Sequence, residues 1–424
     1  MNTINPVWEH SYGKDCLPNF SENMERPRHR WYEFKEGFSS TLVERAIKET
    51  KKRNGSECLT VLDPFSGSGT SPLAALQSEC NAIGFEVNPF MHFVAKTKCQ
   101  GKTKSTDEYL KELDYIFSQE PTRVPSPLEG VSTFTGTGDE GKWLFNLDVI
   151  RAYEALYQHI NKLGTPDIYL LALITSVMQC CNAKKDGKCL RYLKDWRKVN
   201  YTGDILRNTF KKNVLMMIDD LGSEPITKGA RQIKKGDARE LLKQTESGAA
   251  DLIIFSPPYA NSFDYSDIYR PELFLGKFVQ KNEELMQLRK TTLRSHVQCR
   301  WEKNDISQSA WVKQIVARLE EKKDDLWSTH IPQMVSSYFF DMETVLKESF
   351  RVAKDNAQLW VVVSTSAYSS VEIPVDLILA DIAISVGWKL DNVYALRELR
   401  TSSQCVDENN NKVKLRESLI ICRK

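Results

Sequence analysis

The sequence predicts an α/β fold, an open and mostly parallel sheet with helices on both faces, interrupted by a helical insertion. Three stretches carry that prediction. "CLTVLDPFSGSGT" reads as a buried strand, Leu59 to Leu62, running into a glycine turn. "SPLAALQSE" then reads as a helix, and "NAIGFEVNP" as a second strand, Ala82 to Phe85, ending on Glu86. Strand, turn, helix and strand within about 30 residues make a βαβ unit, so a parallel pair with a right-handed crossover is expected.

The chain before this unit, residues 1–100 with the unit included, is the N-terminal part of that α/β domain. From 101 to 230 the strand signals lapse. "DVIRAYEALYQHINKL" and "DIYLLALITSVMQCC" have helical spacing, and a Pro-, Ser-, Thr- and Gly-rich loop precedes them. A mostly helical insertion is predicted here. Strands resume with "ARQIKKGDARELL", a short strand ending near Asp237 and followed by a helix. "DLIIF" (Asp251–Phe255) is the next strand. A polar, charged segment follows, with helical pieces, and 231–424 forms the C-terminal part of the α/β domain. "QMVSSYFFDMETVLKESFRVAKDN" is an amphipathic helix and "AQLWVVVS" a buried strand, while "GWKLDNVYALRELR" and "ESLIICRK" can pair as an antiparallel edge.

Composition excludes several classes. Hydrophobic content of 41% with 27% charged residues is that of a globular chain. The longest apolar run, Tyr169 to Met178, is too short for a membrane span, so no membrane association is expected. The N-terminus lacks an apolar signal core, and ten cysteines are too sparse for a disulfide scaffold, which predicts a reducing cytoplasm. Neither Cys180, Cys181 and Cys189 nor His296 and Cys299 have zinc spacing, so no metal is expected. A net charge of +2 means that any nucleic-acid surface is a local patch.

Chemistry concentrates at strand ends. Gly67 and Gly69 in "DPFSGSGT" let backbone approach a ligand where open α/β sheets bind them. Pro72 breaks the GxGxxG dinucleotide pattern, and no Gly-Lys-Ser/Thr follows to cradle a phosphate. Glu86, ending the second strand, can accept both hydroxyls of a ribose, which favours a nucleoside cofactor. Asp237, ending the third, can accept from an adenine amine, or it simply caps the helix that follows. The fourth strand runs into Ser256-Pro257-Pro258-Tyr259, where two prolines end pairing and fix a rigid turn.

"DPFSGSGT" followed by "SPPY" resembles the amino-methyltransferases that modify exocyclic amines of DNA bases with S-adenosylmethionine. "RHRWYEFKEGFSSTLVERA" (Arg28 to Ala46) is similar to that family's separate N-terminal element, and "WVVVSTS" and "ESLIICRK" to its fifth and last strands. The resemblance implies a Rossmann-like, doubly wound, mostly parallel seven-stranded sheet with an antiparallel edge strand. It implies a cofactor cradle of Asp63, Phe65, Gly67 and Gly69, with Glu86 on the ribose, Asp237 on the adenine and Phe38 contributing from the N-terminal element. Ser256, Pro257, Pro258 and Tyr259 would form the target-base site.

An aromatic-ring amine is a poor nucleophile because its lone pair is delocalised. Ser256 Oγ and the Pro257 carbonyl, as fixed acceptors, would localise that pair, and Tyr259 would stack on a base swung out of the duplex. The sequence has no Pro-Cys pair, which excludes ring-carbon methylation of cytosine. In the enzymes that this chain resembles, Asp at the position of Ser256 is commoner among adenine-N6 enzymes and Ser among cytosine-N4 enzymes, so the resemblance favours cytosine N4. Duplex DNA is the expected partner, with a cognate restriction endonuclease a further candidate. "AKKDGKCLRYLKDWRKVN", with seven Lys/Arg against two Asp, supplies Lys184, Lys185, Lys188, Arg191 and Arg197 as candidate DNA contacts. A second candidate DNA-contacting segment spans 265–330, with Arg294 among its basic residues. The alternatives are an RNA guanine-N2 methyltransferase and a DNA-binding scaffold without activity.

Overall fold

The structure, a computed structural model, describes residues 5–8, 20–119, 122–131, 133–136, 141–187, 189–299, 305–399 and 414–424. In chain order its strands are β1 (Val7–Trp8), β2 (Thr60–Asp63), β3 (Asn81–Glu86), β4 (Ala183–Asp186), β5 (Cys189–Tyr192) and β6 (Arg231–Lys235). β7 (Ala250–Phe255), β8 (Ala353–Ser364), β9 (Ser366–Tyr368), β10 (Val371–Ile373), β11 (Lys389–Leu399) and β12 (Leu415–Arg423) complete the set.

Eight of these form one sheet, in the order β1-β11-β12-β8-β7-β2-β3-β6. β8, β7, β2, β3 and β6 run parallel, while β12 is antiparallel to both β8 and β11. The antiparallel strand therefore lies inside the sheet, and the two-residue β1 pairs with β11 at the edge. This is the doubly wound Rossmann-like α/β architecture, with β1 added to its seven strands.

The central strands read as continuous apolar runs because both of their faces are covered. All six residues of β7 are buried. Leu252 and Ile254 join Val61 and Trp360 in a core under the helices Ser40–Asn54 and Thr70–Gln77. Ile253 and Phe255 point the other way, into a core with Leu62, Val361 and the helices Ala310–Glu321, Ile331–Val352 and Val375–Ser385. The strand period of two thus splits one apolar run between two layers.

Residues 101–230 contain the helices Thr106–Ser118, Leu147–Ile160, Asp167–Gln179 and Gly203–Ser223. They also contain the β4–β5 hairpin, which the sequence reading missed. The core of this insertion is continuous with Trp31 and Tyr32 from the N-terminal element and with Phe263, Tyr269 and Leu273 beyond the Pro-Pro turn. Asp220 fastens it. Its buried carboxylate accepts from the backbone N–H of Arg28 (2.9 Å), Trp31 Nε1 (2.8 Å) and the guanidinium of Arg30. No helix among the described residues is long and apolar enough to cross a membrane.

Candidate active site

The parallel strands β7, β2, β3 and β6 end on one side of the sheet, and the residues that follow them line a single cleft. It encloses about 960 Å³ of empty space, open solvent at its mouth included. Phe65, Gly67, Glu86, Asp237, Ser256, Pro257, Pro258 and Tyr259 all border it. The sequence motifs therefore converge.

Asp63 ends β2 but turns inward. Its carboxylate accepts from the Phe65 N–H (2.8 Å) and from Ser71 Oγ (2.5 Å), bracing the turn from beneath. Burial raises it to about 7. Gly69 is also structural: at φ +88 it starts the helix Thr70–Gln77, and a Cβ there would lie 2.8 Å from Ala95 Cα. Gly67 does face the cleft, with φ +50, and a Cβ on it would meet the Phe34 ring at 2.7 Å. Its N–H donates to Glu86 Oε2 at 2.9 Å, and Asn88 N–H donates to Oε1 at 2.7 Å. Burial outweighs these donors and lifts Glu86 to about 7.

Asp237 has two roles open to it. It caps the helix Ala238–Lys243 through the Arg239 N–H (2.9 Å) and pairs with the Arg239 guanidinium at 2.6 Å, while still bordering the cleft. Phe38 does not reach the cleft. It is buried against the helix Ser40–Asn54, and Phe34 and Glu36 from the same N-terminal element line the wall instead. Glu36 accepts from the Tyr269 hydroxyl, and burial raises its carboxyl above the ordinary range. Tyr265, Tyr269 and the run Thr291–His296, Arg294 excepted, also line the cleft. Burial holds His296 below the ordinary imidazole range.

At the Pro-Pro turn, Ser256 Oγ donates to the Tyr259 hydroxyl at 3.4 Å, and that hydroxyl donates to Glu417 Oε1 at 2.7 Å. Glu417 lies on β12 between Arg416 and Ser418, and the sequence reading did not single it out. Tyr368 Oη donates to the Ala260 carbonyl at 3.0 Å and secures the far side of the turn.

Two predicted DNA contacts are corrected. Arg294 is 5% exposed and lies between Asp341 (2.6 Å) and Asp305 (2.7 Å), so its charge is spent inside the fold. Lys185 pairs with the fully buried Glu272 at 2.5 Å and sits 3.7 Å from the Tyr269 ring centroid. It anchors the hairpin beside the cleft. Strand alternation puts its neighbour Lys184 on the other face, opposite Arg191, and both are exposed. Arg197 is exposed too, over the Trp196 ring, while Lys188 lies outside the described residues.

The donor set selects the ligand. Glu36, Glu86 and Asp237 border the cleft with aromatic rings, and among the described residues no Lys or Arg lines it. Acids and π-faces suit a cationic nucleoside and repel a phosphate. S-adenosylmethionine, a sulfonium nucleoside, fits that description.

The DNA methylase family profile matches residues 3–97. The type II methyltransferase M.AvaI of Nostoc sp. is 25% identical over 96% of this chain and 89% of its own length. Over nearly its whole length the chain is similar to type II methyltransferases. The type II methyltransferase M.BsoBI of Geobacillus stearothermophilus is 25% identical over 96% of this chain and 88% of its length. M.MvaI of Kocuria varians, another type II methyltransferase, is 21% identical over 85% and 82%.

Proposed function

We propose that this methyltransferase places a methyl group on the N4 amine of cytosine in duplex DNA, as the modifying arm of a restriction-modification pair. The observation that carries the reading is Ser256-Pro257 at the end of β7, two residues that line the same cleft as Glu86 and Asp237. When bound, the cofactor supplies an electrophilic methyl on a sulfonium. Glu86 would accept from its ribose, Asp237 from its adenine, and Glu36 with the rings of Phe34 and Tyr269 would surround its cationic end. Ser256 Oγ and the Pro257 carbonyl would accept from the target amine and localise its lone pair. Tyr259 would offer its ring to a base swung out of the stack.

The insertion 101–230, with the exposed Lys184, Arg191 and Arg197 of its hairpin region, would hold the duplex. Its position supports this, since Lys185 fixes the hairpin next to Tyr269 in the cleft wall. The type II methyltransferases it is similar to support the pairing with an endonuclease. Nucleoside mass spectrometry of DNA from an expressing host tests the reading. N4-methylcytosine supports it, N6-methyladenine replaces the target base, and neither mark overturns it.

A further inference from the structure

Methyl transfer to an amine leaves a proton to be removed, and the target-base turn holds a chain of groups able to take it. Ser256 Oγ donates to Tyr259 Oη (3.4 Å) and Tyr259 Oη donates to Glu417 Oε1 (2.7 Å), so the donations lead from two residues of the cleft wall to an acid that does not line it. The chain ends on a carboxylate that is 3% exposed. Glu417 stands on β12 opposite Ser364 of β8 and opposite Arg397 of β11, two strands from Ser256 in the sheet. Arg397 holds its second oxygen at 2.6 Å. A buried acid is costly, and the salt bridge alone does not explain why its other oxygen is aimed at the Pro-Pro turn.

We propose that Ser256, Tyr259 and Glu417 form a proton relay that carries the target amine's proton out of the cleft to Glu417. This rests on the reading of Ser256 as an acceptor from that amine. As the nitrogen–methyl bond forms, the methyl–sulfur bond breaks and its electron pair stays on sulfur. The nitrogen's proton moves to Ser256 Oγ, the Ser256 proton to Tyr259 Oη, and the Tyr259 proton to Glu417 Oε1. One proton is transferred in all, Ser256 and Tyr259 are restored, and Glu417 becomes a neutral acid beside the still-charged Arg397. The direction of its shift agrees: burial raises Glu417 above the ordinary carboxylate range, against the opposing effects of Arg397 and the Tyr259 hydroxyl. Tyr259 is held well above the ordinary phenol range by burial and by Glu417, so it passes a proton on without resting as phenolate. The 3.4 Å link is long for O–H···O, and such contacts shorten when substrate fills a site.

The test uses Glu417→Gln, Tyr259→Phe, which keeps the ring, and their double variant. Single-turnover methyl transfer is measured at saturating cofactor and DNA. The relay predicts a loss of roughly 100-fold in each single variant, as for a positioned proton acceptor, and no further loss in the double. Unchanged cofactor affinity in the variants excludes a folding effect. A second readout needs neither cofactor nor DNA: in protein carrying ring-labelled tyrosine, the Tyr259 resonance, identified by its absence in Y259F, titrates at lower pH in E417Q. A rate within threefold of wild type in E417Q, losses that multiply in the double variant, or an unmoved Tyr259 titration overturns the relay. Should E417Q lose cofactor affinity, Y259F decides, because a full rate without the hydroxyl overturns the relay by itself. A wild-type protein that binds cofactor but methylates no DNA overturns the functional reading as well, a result distinct from active wild type with unaffected variants.

Discussion

Gly67 donates its backbone N–H to Glu86 at 2.9 Å, so the turn that ends β2 and the acid that ends β3 form a single element of the site. The carboxylate is oriented before any ligand arrives, and its remaining acceptor capacity faces the cleft. Replacing Glu86 with Ala removes acceptors of charge-assisted hydrogen bonds, each worth about 1.5–3 kcal/mol. Calorimetric titration is expected to show cofactor affinity reduced at least tenfold in E86A, with cooperative melting retained.

The same carboxyl sets a pH dependence. Burial raises Glu86 from 4.5 to about 7, so it gains a proton as pH falls through neutrality and loses acceptor capacity. Cofactor affinity is expected to weaken from roughly pH 8 to pH 6. Stability has the opposite sign. With a raised folded pKa, the contribution of Glu86 is fully present below about 4.5 and is lost as pH rises through about 7. Asp63, raised to about 7 as well, adds to the stability profile but faces the turn. Titrations across this range in wild type and E86Q separate the two: only the Glu86 part of the affinity change disappears in E86Q.

Gly69 is required by geometry rather than by ligand contact. Gly69→Ala places a Cβ 2.8 Å from Ala95 Cα at φ +88, whereas Gly55→Ala at φ +64 meets nothing within 4 Å. Left-handed backbone strain alone costs about 1–2 kcal/mol, so G55A should lose about that much and G69A more. Denaturant titration of both variants checks the ranking, and equal losses would refute the packing argument.

The basic residues separate by their partners. Lys184→Ala, Arg191→Ala and Arg197→Ala are each expected to weaken duplex binding and to lower the slope of log affinity against log salt by about 0.9. Arg294→Ala instead leaves Asp341 short of a buried partner and should cost about 3 kcal/mol of stability. Salt titrations of binding alongside melting curves distinguish the two groups.

Much of this site was legible in the sequence because parallel core strands are apolar throughout and their ends are marked by chemistry. Leu252–Phe255 running into Ser256-Pro257-Pro258 leaves little freedom, and Glu86 follows an apolar strand after a glycine turn. The β4–β5 hairpin was hidden because its exposed, charged residues carry no apolar alternation. Lys185 and Arg294 looked like surface charge because their partners, Glu272 and Asp341, lie far along the chain. Phe34 and Phe38 share one short element, and only packing shows which faces the cleft. Glu417 was invisible for a related reason: nothing local in "ESLIICRK" announces that β12 will lie beside β8 and direct an acid at Tyr259.

The most direct measurement of the central claim is transfer of labelled methyl from S-adenosylmethionine to duplex DNA by wild type and Ser256→Ala, with transfer RNA as the competing acceptor. The account predicts label in DNA alone, reduced roughly 100-fold or more in S256A, the loss typical of a preorganised hydrogen-bonding group at a reacting centre. Label in RNA, no label in either, or an S256A variant as active as wild type would contradict it.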